Sequence, residues 1–433
     1  MTAIDRSKLF FASRLALLVT SLSFGIRAGI LNRLGVDFHL DAAQLGAITA
    51  TAFWGFPLAV IIGGMIVDII GMKRLLVFAF LFHLAGILLT IFAGGYWALF
   101  ISTLLIGIAN GVVEAACNPL VATLYPEDKT TKLNHFHLWF PGGIVIGTLL
   151  VYLLDKINIS WEIQVGLMLI PTLIYGYLFS KLHFPVTERV ASGVSTGQMY
   201  GALLTPLFWF MIVCMFGTAI TELFTNQWTD VIFKNVTSNA LLILTFVAAV
   251  QTVGRAFAGP IVHKISTQGV LLISAILSAL GIYLMIHLTG VAIFGAAIIF
   301  GLGVAFFWPC MIGFVAENLP RTGAVGLNLM GGAGMFAVSV YMMFMGGYFD
   351  SHMLQNLPAG SNLDAYRSAA PGSAMAGVYD HARSIVGPQI LNVTLVIPLA
   401  LILAFIFLYF YMRGKSKNIS LSTENIIESQ PIL

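Results

Sequence analysis

Residues 64–74 read GMIVDIIGMKR and place three charged side chains between two long apolar segments, 42–67 and 74–95. Each segment is long enough to cross a hydrocarbon core of roughly 30 Å, which takes about 20 apolar residues. Asp68, Lys73 and Arg74 stand where a chain would turn at a membrane surface. The stretch therefore predicts a short surface connection between two spanning helices.

The composition of the whole chain agrees with this interpretation. Of 433 residues, 59% are hydrophobic and only 9% are charged, and the mean hydropathy is +0.94. Soluble domains carry about a quarter charged residues. The net charge of +3 is spread along the chain, so no basic patch indicates a nucleic-acid partner. We predict an all-α, polytopic protein embedded in a lipid bilayer.

Targeting and metal-binding signals are weak. The N-terminal apolar run lacks a small-residue cleavage site, so we expect it to be retained as the first helix. The three cysteines, Cys117, Cys214 and Cys310, all lie in apolar segments without metal-ligand spacing. We expect no disulfide, no metal and no cofactor.

Apolar segments separated by short polar breaks predict twelve spanning helices. Their expected limits are 12–34, 42–67, 74–95, 97–125, 132–154, 160–182, 206–233, 239–265, 268–289, 291–318, 323–348 and 387–412.

The distribution of Lys and Arg predicts the orientation, because cytoplasmic loops carry an excess of basic residues. With both termini in the cytoplasm, thirteen basic residues fall on the inner side: Arg6, Lys8, Lys73, Arg74, Lys129, Lys132, Lys181, Arg189, Lys264, Arg321, Arg413, Lys415 and Lys417. Five fall on the outer side: Arg33, Lys156, Lys234, Arg367 and Arg383.

The spans divide into two sets of six. A polar connection, 184–205, separates an N-terminal bundle, 1–183, from a C-terminal bundle, 206–413, and we expect a flexible tail at 414–433. GPIVHK at 259–264 repeats the Gly, polar and basic pattern of 64–74, and Pro119 and Pro309 occupy corresponding places in the two halves. The outer connection 349–386 is expected to be a plain loop, or else a partial lid.

The pattern Gly64, Asp68, Gly71, Lys73 and Arg74 resembles the loop 2–3 signature of the major facilitator superfamily. The resemblance implies twelve helices in two six-helix bundles that rock about a site at mid-membrane. It also implies that these five residues form a cytoplasmic gate.

Four charged residues fall deep within predicted spans: Arg27, Glu114, Glu222 and Arg255. A charge near the bilayer centre costs about 2.5–3.5 kcal/mol on insertion scales. Each must therefore be paired, neutralised or exposed to a wet cavity. Arg27 and Glu114 could form a buried ion pair, and Arg255 could be held by backbone carbonyls or by helix 7. Alternatively, Glu114, Glu222 and Arg27 take part in proton coupling.

Amide, imidazole and indole groups accompany these charges on helices 1, 4, 5, 7, 8 and 10. Such groups bind hydroxyls as donors and acceptors. The candidate substrate-binding residues are Arg27, Glu114, Asn118, His135, His137, Trp139, Glu222, Asn226, Gln227, Gln251, Arg255 and Trp308.

The segment 114–120, EAACNPL, resembles helix 4 of the fucose and glucose/galactose proton symporters of that superfamily. The resemblance implies that Glu114 is a carboxylate for proton and substrate, and that His137 replaces a substrate-binding Gln. Two residues depart from the branch: Ala28, beside Arg27, stands where a coupling Asp is expected, and Phe140 stands in place of an Asn.

We therefore expect a monomeric, proton-coupled sugar symporter in the plasma membrane, which in a bacterium is the inner membrane. The alternatives are a carrier of an organic anion such as a sugar acid, coupled to protons or sodium, and a drug exporter. Nothing in the sequence indicates an enzyme, since no nucleophile–base pair or phosphate-binding loop is present.

Overall fold

The structure is a computed structural model that describes residues 4–227, 240–288, 290–370 and 372–428. Throughout these ranges the regular secondary structure is helical, with no strand. Within the described residues, eleven helices are long and apolar enough to span a membrane, and a bent pair, Leu244–Ala256 with Ala258–Ile265, makes a twelfth. The prediction of twelve spans is confirmed.

The first half contains six spanning helices. They are α1 (Arg6–Asp37), α2 (Ala42–Ile70), α3 (Met72–Ile91), α4 (Tyr96–Leu124), α5 (Lys129–His137 and Trp139–Lys156) and α6 (Trp161–Gly166 and Leu169–Lys181).

The second half repeats this plan with more breaks. Its helices are α7 (Pro206–Ala219, a π-helical turn Ile220–Phe224, and Thr225–Gln227), α8 (Ala240–Ala256 and Ala258–Ile265), α9 (Thr267–His287), α10 (Ala292–Val304 and Phe307–Asn318), α11 (Gly323–Gln355) and α12 (Ala374–Glu428).

The two long connections are more ordered than the sequence indicates. Between the halves lie two short helices, Glu188–Ala191 and Thr196–Leu203. In the outer connection, α11 continues to Gln355, α12 begins at Ala374, and Leu363–Arg367 forms a short helix between them. Buried apolar side chains of both extensions pack together, which explains why they stay helical: Met345, Phe349, Met353, Leu357, Ala382, Val386 and Ile390.

Small residues allow the helices within a half to approach closely. Gly107 and Gly111, four residues apart, face α2, and a methyl group added at Gly107 would lie 2.8 Å from the Cα of Ala52. This small-xxx-small spacing lets helix backbones touch where no hydrophobic effect drives association. The contact fixes α2 against α4.

The halves meet along α2–α11 and α5–α8. Gly64 lies against Asn328, and the hydroxyls of Thr148 and Thr245 are 2.6 Å apart. The α2–α3 turn and the connection 184–205 lie at the same end of the molecule, joined by contacts between Asp68 and Arg189. We call this the linker end; the basic residues assign it to the cytoplasm as a prediction.

Candidate functional site

Glu114 is bound within its own half by one amide and one imidazole. The Asn118 Nδ2 atom, one turn along α4, donates to Glu114 Oε2 at 2.7 Å. The Asn118 Oδ1 atom is 3.0 Å from His137 Nε2, and because an amide oxygen only accepts, Nε2 carries a proton. The other ring nitrogen, Nδ1, lies 3.7 Å from Glu114 Oε1. This distance is too long for a hydrogen bond, so the imidazole and the carboxyl group interact only electrostatically.

Arg255, which is 2% exposed, makes three charge-assisted hydrogen bonds. Its Nη2 donates to Glu222 Oε1 at 2.8 Å, its Nη1 to the His137 carbonyl at 2.7 Å, and its Nε to the Ala305 carbonyl at 2.6 Å. The His137 bond joins the two halves. The expectation that carbonyls or helix 7 would hold Arg255 describes the contacts seen.

Prolines explain why those two carbonyls are available. A proline has no N–H and so leaves the carbonyl four residues earlier without its helical partner. Pro141 stands four residues after His137, and Pro309 stands four after Ala305. Arg255 therefore donates to acceptors that the helices themselves cannot satisfy.

The third proline acts in the same way across the interface. Pro119 frees the carbonyl of Ala115 on α4, and the Nδ2 of Asn328 on α11 donates to it at 2.9 Å. The sequence contained this signal, because each carbonyl four residues before a helical proline needs an outside donor. It could not show which side chain supplies that donor.

Glu222 lies in the π-helical turn of α7, a local widening that occurs frequently at functional sites. Among the described residues, nothing hydrogen-bonds its second oxygen, Oε2, which is buried, or the buried atoms Asn226 Oδ1 and Gln251 Nε2. Asn226 is one turn beyond Glu222, and Gln251 is one turn from Arg255. Buried polar atoms are nearly always hydrogen-bonded in native structures, so two acceptors and one donor indicate a ligand or water site.

Arg27 and Glu114 do not pair. The Asn110 Nδ2 donates to Ser23 Oγ at 3.1 Å, and this bond sets the register of the antiparallel helices α1 and α4. Four residues further on, Arg27 is displaced toward one end and Glu114 toward the other, by about 6 Å each at 1.5 Å per residue. Helix register, which the sequence did not show, separates the two charges.

The remaining predicted residues divide between the site and its surroundings. His135 is half-buried beside the backbone of Ala256, away from His137. Trp139 is half-buried, and its carbonyl oxygen accepts a hydrogen bond from Ser21 Oγ at 2.8 Å. The Trp308 ring packs on α11, where a methyl group added at Gly334 would lie 3.1 Å away. The side chain of Gln227 lies outside the described residues.

The predicted gate residues lie at the linker end. Arg189 Nε is 2.6 Å from Asp68 Oδ2, and the Thr187 hydroxyl donates to the other oxygen. Gly71 has a φ of +90° at the α2–α3 turn, a conformation that favours glycine. Of the remaining gate candidates, Lys73 donates to the Leu182 carbonyl at 3.0 Å, Arg74 is exposed, and Gly64 packs on α11, where the halves meet.

Sequence reasoning missed the connections that join the halves here. Lys129, almost fully buried, donates to both carboxylate oxygens of Glu188 at 2.8 Å and to the Ala316 carbonyl of α10 at 3.0 Å. The Thr130 N–H donates to Glu317 Oε1 at 3.0 Å. The linker end is therefore closed by side chains of both halves and of the connection between them.

These features define a two-bundle membrane carrier fold with a polar site between the bundles. Residues 15–340 match the Major Facilitator Superfamily, and the chain belongs to that family. It is accordingly a multi-pass protein of the plasma or inner membrane.

The structure resembles solved transporters along nearly its whole length. The fucose:proton symporter of E. coli matches with a TM-score of 0.64 at 14% identity, over 90% of this chain and 98% of that one. The proton:xylose symporter XylE bound to 6-bromo-6-deoxy-D-glucose matches with a TM-score of 0.70 at 13% identity, over 89% and 94%. The predicted helical two-bundle fold and the resemblance to the fucose symporters are confirmed, whereas the cytoplasmic position of the termini stays a prediction.

Similarity in sequence is local. The facilitated glucose transporter member 10 of solute carrier family 2 from Xenopus laevis is 28% identical over 177 residues, 40% of this chain and 32% of that protein. The D-xylose transporter of Levilactobacillus brevis is 25% identical over 172 residues, 40% and 38%. The chain spans about a third of the length of such relatives.

Proposed function

We propose that this protein is a secondary active transporter that moves a sugar together with a proton. One observation carries the proposal: a buried polar chain runs from Glu114 through Asn118 and His137 to Arg255 and Glu222, and so crosses from one half to the other. Unpartnered polar atoms lie beside its far end. The relatives named as sugar transporters support the same substrate class.

Glu114 and His137 supply the proton chemistry. Glu114 is 3% exposed, so in this arrangement of the halves its proton cannot exchange freely with solvent. Arg255 of the other half donates a hydrogen bond to the His137 carbonyl. Separating the halves at the linker end therefore removes that bond and admits water to Glu114 and His137. A proton bound at Glu114 is then stabilised differently in the two arrangements, which is the requirement for coupling.

The sugar-binding groups lie on α7 and α8. Glu222 Oε2 and Asn226 Oδ1 accept hydrogen bonds and Gln251 Nε2 donates them, so together they suit hydroxyl groups, which do both. Burying these atoms unpaired costs free energy that a bound sugar recovers. In the proposal, the bundles 1–183 and 206–413 rock about this site while the connection 184–205 holds the linker end.

The test uses the purified protein in liposomes with radiolabelled D-xylose, L-fucose and D-glucose. Glu114→Gln should abolish accumulation driven by a pH gradient but keep counterflow exchange, because exchange needs no net protonation cycle. Glu127→Gln, an exposed acid at the linker end, is the control and should transport normally.

Two outcomes contradict the proposal. If Glu114→Gln accumulates sugar as the unmodified protein does at several pH values, Glu114 does not couple the proton. If accumulation follows a sodium gradient and ignores the pH gradient, the coupling ion is sodium.

A further inference from the structure

Arg27 is the one deep charge that the described chain leaves unmatched. Of the four charged residues predicted deep in the membrane, Glu222 and Arg255 pair with each other, and Glu114 has Asn118 and His137. Arg27 makes no hydrogen bond or ion pair with any described residue, and its side chain is half-buried. A guanidinium without a counter-charge within the membrane is unfavourable by several kcal/mol.

The face of α1 that carries Arg27 is directed at the gap between the halves. Phe24, one turn earlier on the same face, contacts Phe53 of α2 and Phe140 of α5, each with ring centroids 5.9 Å apart. Those are the two helices of the first half that touch α11 and α8. By contrast, Ile26 and Ile30 are buried within the first half.

Along the helix axes, Arg27 lies farther from the linker end than the unpartnered atoms of α7 and α8. Gly143 of α5 lies against Ser21, and the adjoining Gly142 lies against Thr252, the neighbour of Gln251. Arg27 is six residues further along α1 than Ser21, a rise of about 9 Å. Measured along the helix axes, Arg27 therefore lies about 9 Å from the level of Gln251, a separation that its long side chain reduces.

We propose that Arg27 binds the carboxylate of an acidic monosaccharide, whose hydroxyls are held by Glu222, Asn226 and Gln251. The proposal rests on the sugar-transport function and narrows its substrate class. A guanidinium binds a carboxylate through two parallel hydrogen bonds, and a neutral sugar leaves its charge unmatched. Glu222 does not repel such a substrate, because Arg255 already neutralises it.

Matched sugars that differ only at carbon 6 test this site. Binding of D-glucose against D-glucuronate, and of D-galactose against D-galacturonate, is measured by calorimetry on the purified full chain. For at least one pair we expect the acid to bind about tenfold more tightly or better, as a hydrogen-bonded charge pair does. Arg27→Gln should remove this preference, and Arg27→Lys should keep part of it.

A second arginine of α1 is the control. Arg33 lies near the end of the helix and pairs with Asp155 at 2.9 Å, so Arg33→Gln should keep the preference for the acid. If the neutral sugar of every pair binds as tightly as its acid, or if Arg27→Gln keeps the preference, Arg27 is not the carboxylate site. If neutral sugars are bound and transported but the acids are not preferred, the carboxylate site is refuted and the sugar-transport function is still supported. If no sugar or sugar acid binds, both proposals fail.

Discussion

Replacing Lys129 by Met should open the linker end. Lys129 Nζ is hydrogen-bonded to the Ala316 carbonyl of the other half and to Glu188 of the connection. Methionine has a similar shape but no donor, so the replacement removes the bonds and preserves most of the packing. It should therefore favour the arrangement in which the two halves separate at this end.

The structure bounds the size of the effect. A hydrogen bond to a charged group contributes about 1.5–3 kcal/mol. The Lys129 side chain is 7% exposed, but that of Glu188 is 35% exposed, so the ion pair itself adds little. We take about 2 kcal/mol for the whole contact, which corresponds to about a 30-fold change in the ratio of closed to open molecules.

The native cysteine Cys310 can be used to measure this opening, so no reporter residue has to be introduced. It is fully buried, lies 3.5 Å from the Asn134 amide across the interface, and is six residues inward from Ala316. With Cys117 and Cys214 replaced by Ala, the rate of alkylation by N-ethylmaleimide measures its exposure. We expect Lys129→Met to raise that rate about 30-fold if only open molecules react.

Lys132 supplies the matched control. It lies one turn along α5 and stacks on the Tyr125 ring of its own half at 4.9 Å, so Lys132→Met should leave the alkylation rate unchanged. An unchanged rate in Lys129→Met, or an equal rise in both variants, would refute the assignment of Lys129 as a bond between the halves.

Two further changes test the interface and the buried charges. Gly64→Val should speed Cys310 alkylation by forcing α2 away from α11, whereas Gly46→Val, which has no atom within 4 Å of its added Cβ, should not; equal rates would contradict the close packing. Arg255→Met should destabilise the protein by about 3–5 kcal/mol, because it leaves the Glu222 carboxylate buried and unpaired. Reversible unfolding in mixed micelles measures this loss, and Arg255→Met combined with Glu222→Gln should recover most of it; no recovery would show that the lost carbonyl contacts dominate.

The fold was predictable because it depends on local composition. Apolar runs of spanning length, and the charged turn at Asp68, indicate helices wherever they occur in a chain. The helical extensions within the outer connection 349–386 were not predicted in this way. The residues of that connection are polar on average, yet Phe349 and Met353 pack against Val386 and stay helical through a contact between segments distant in sequence.

The candidate site was predictable only in part. Glu114, Glu222 and Arg255 stood out because charges are rare within spans, and the structure gives all three polar partners. Their partners could not be predicted from the sequence. Arg27 does not reach Glu114, and Arg189, which lies in the polar connection 184–205, binds Asp68. Which charges meet depends on helix register and on how the connection folds back.

The sequence by itself determined that this chain spans a membrane twelve times and that a few charged residues must find partners there, since the bilayer excludes unsatisfied polar groups. Among the carbonyls that lie four residues before a helical proline, it identified those of Ala115, His137 and Ala305 as needing an outside donor. Only the tertiary structure decided that Asn328 and Arg255 donate hydrogen bonds to these carbonyls, and that Arg27 has no partner among the described residues. Donors and acceptors are properties of residues, but hydrogen bonds require two groups at about 3 Å, and that distance is set by the packing of whole helices.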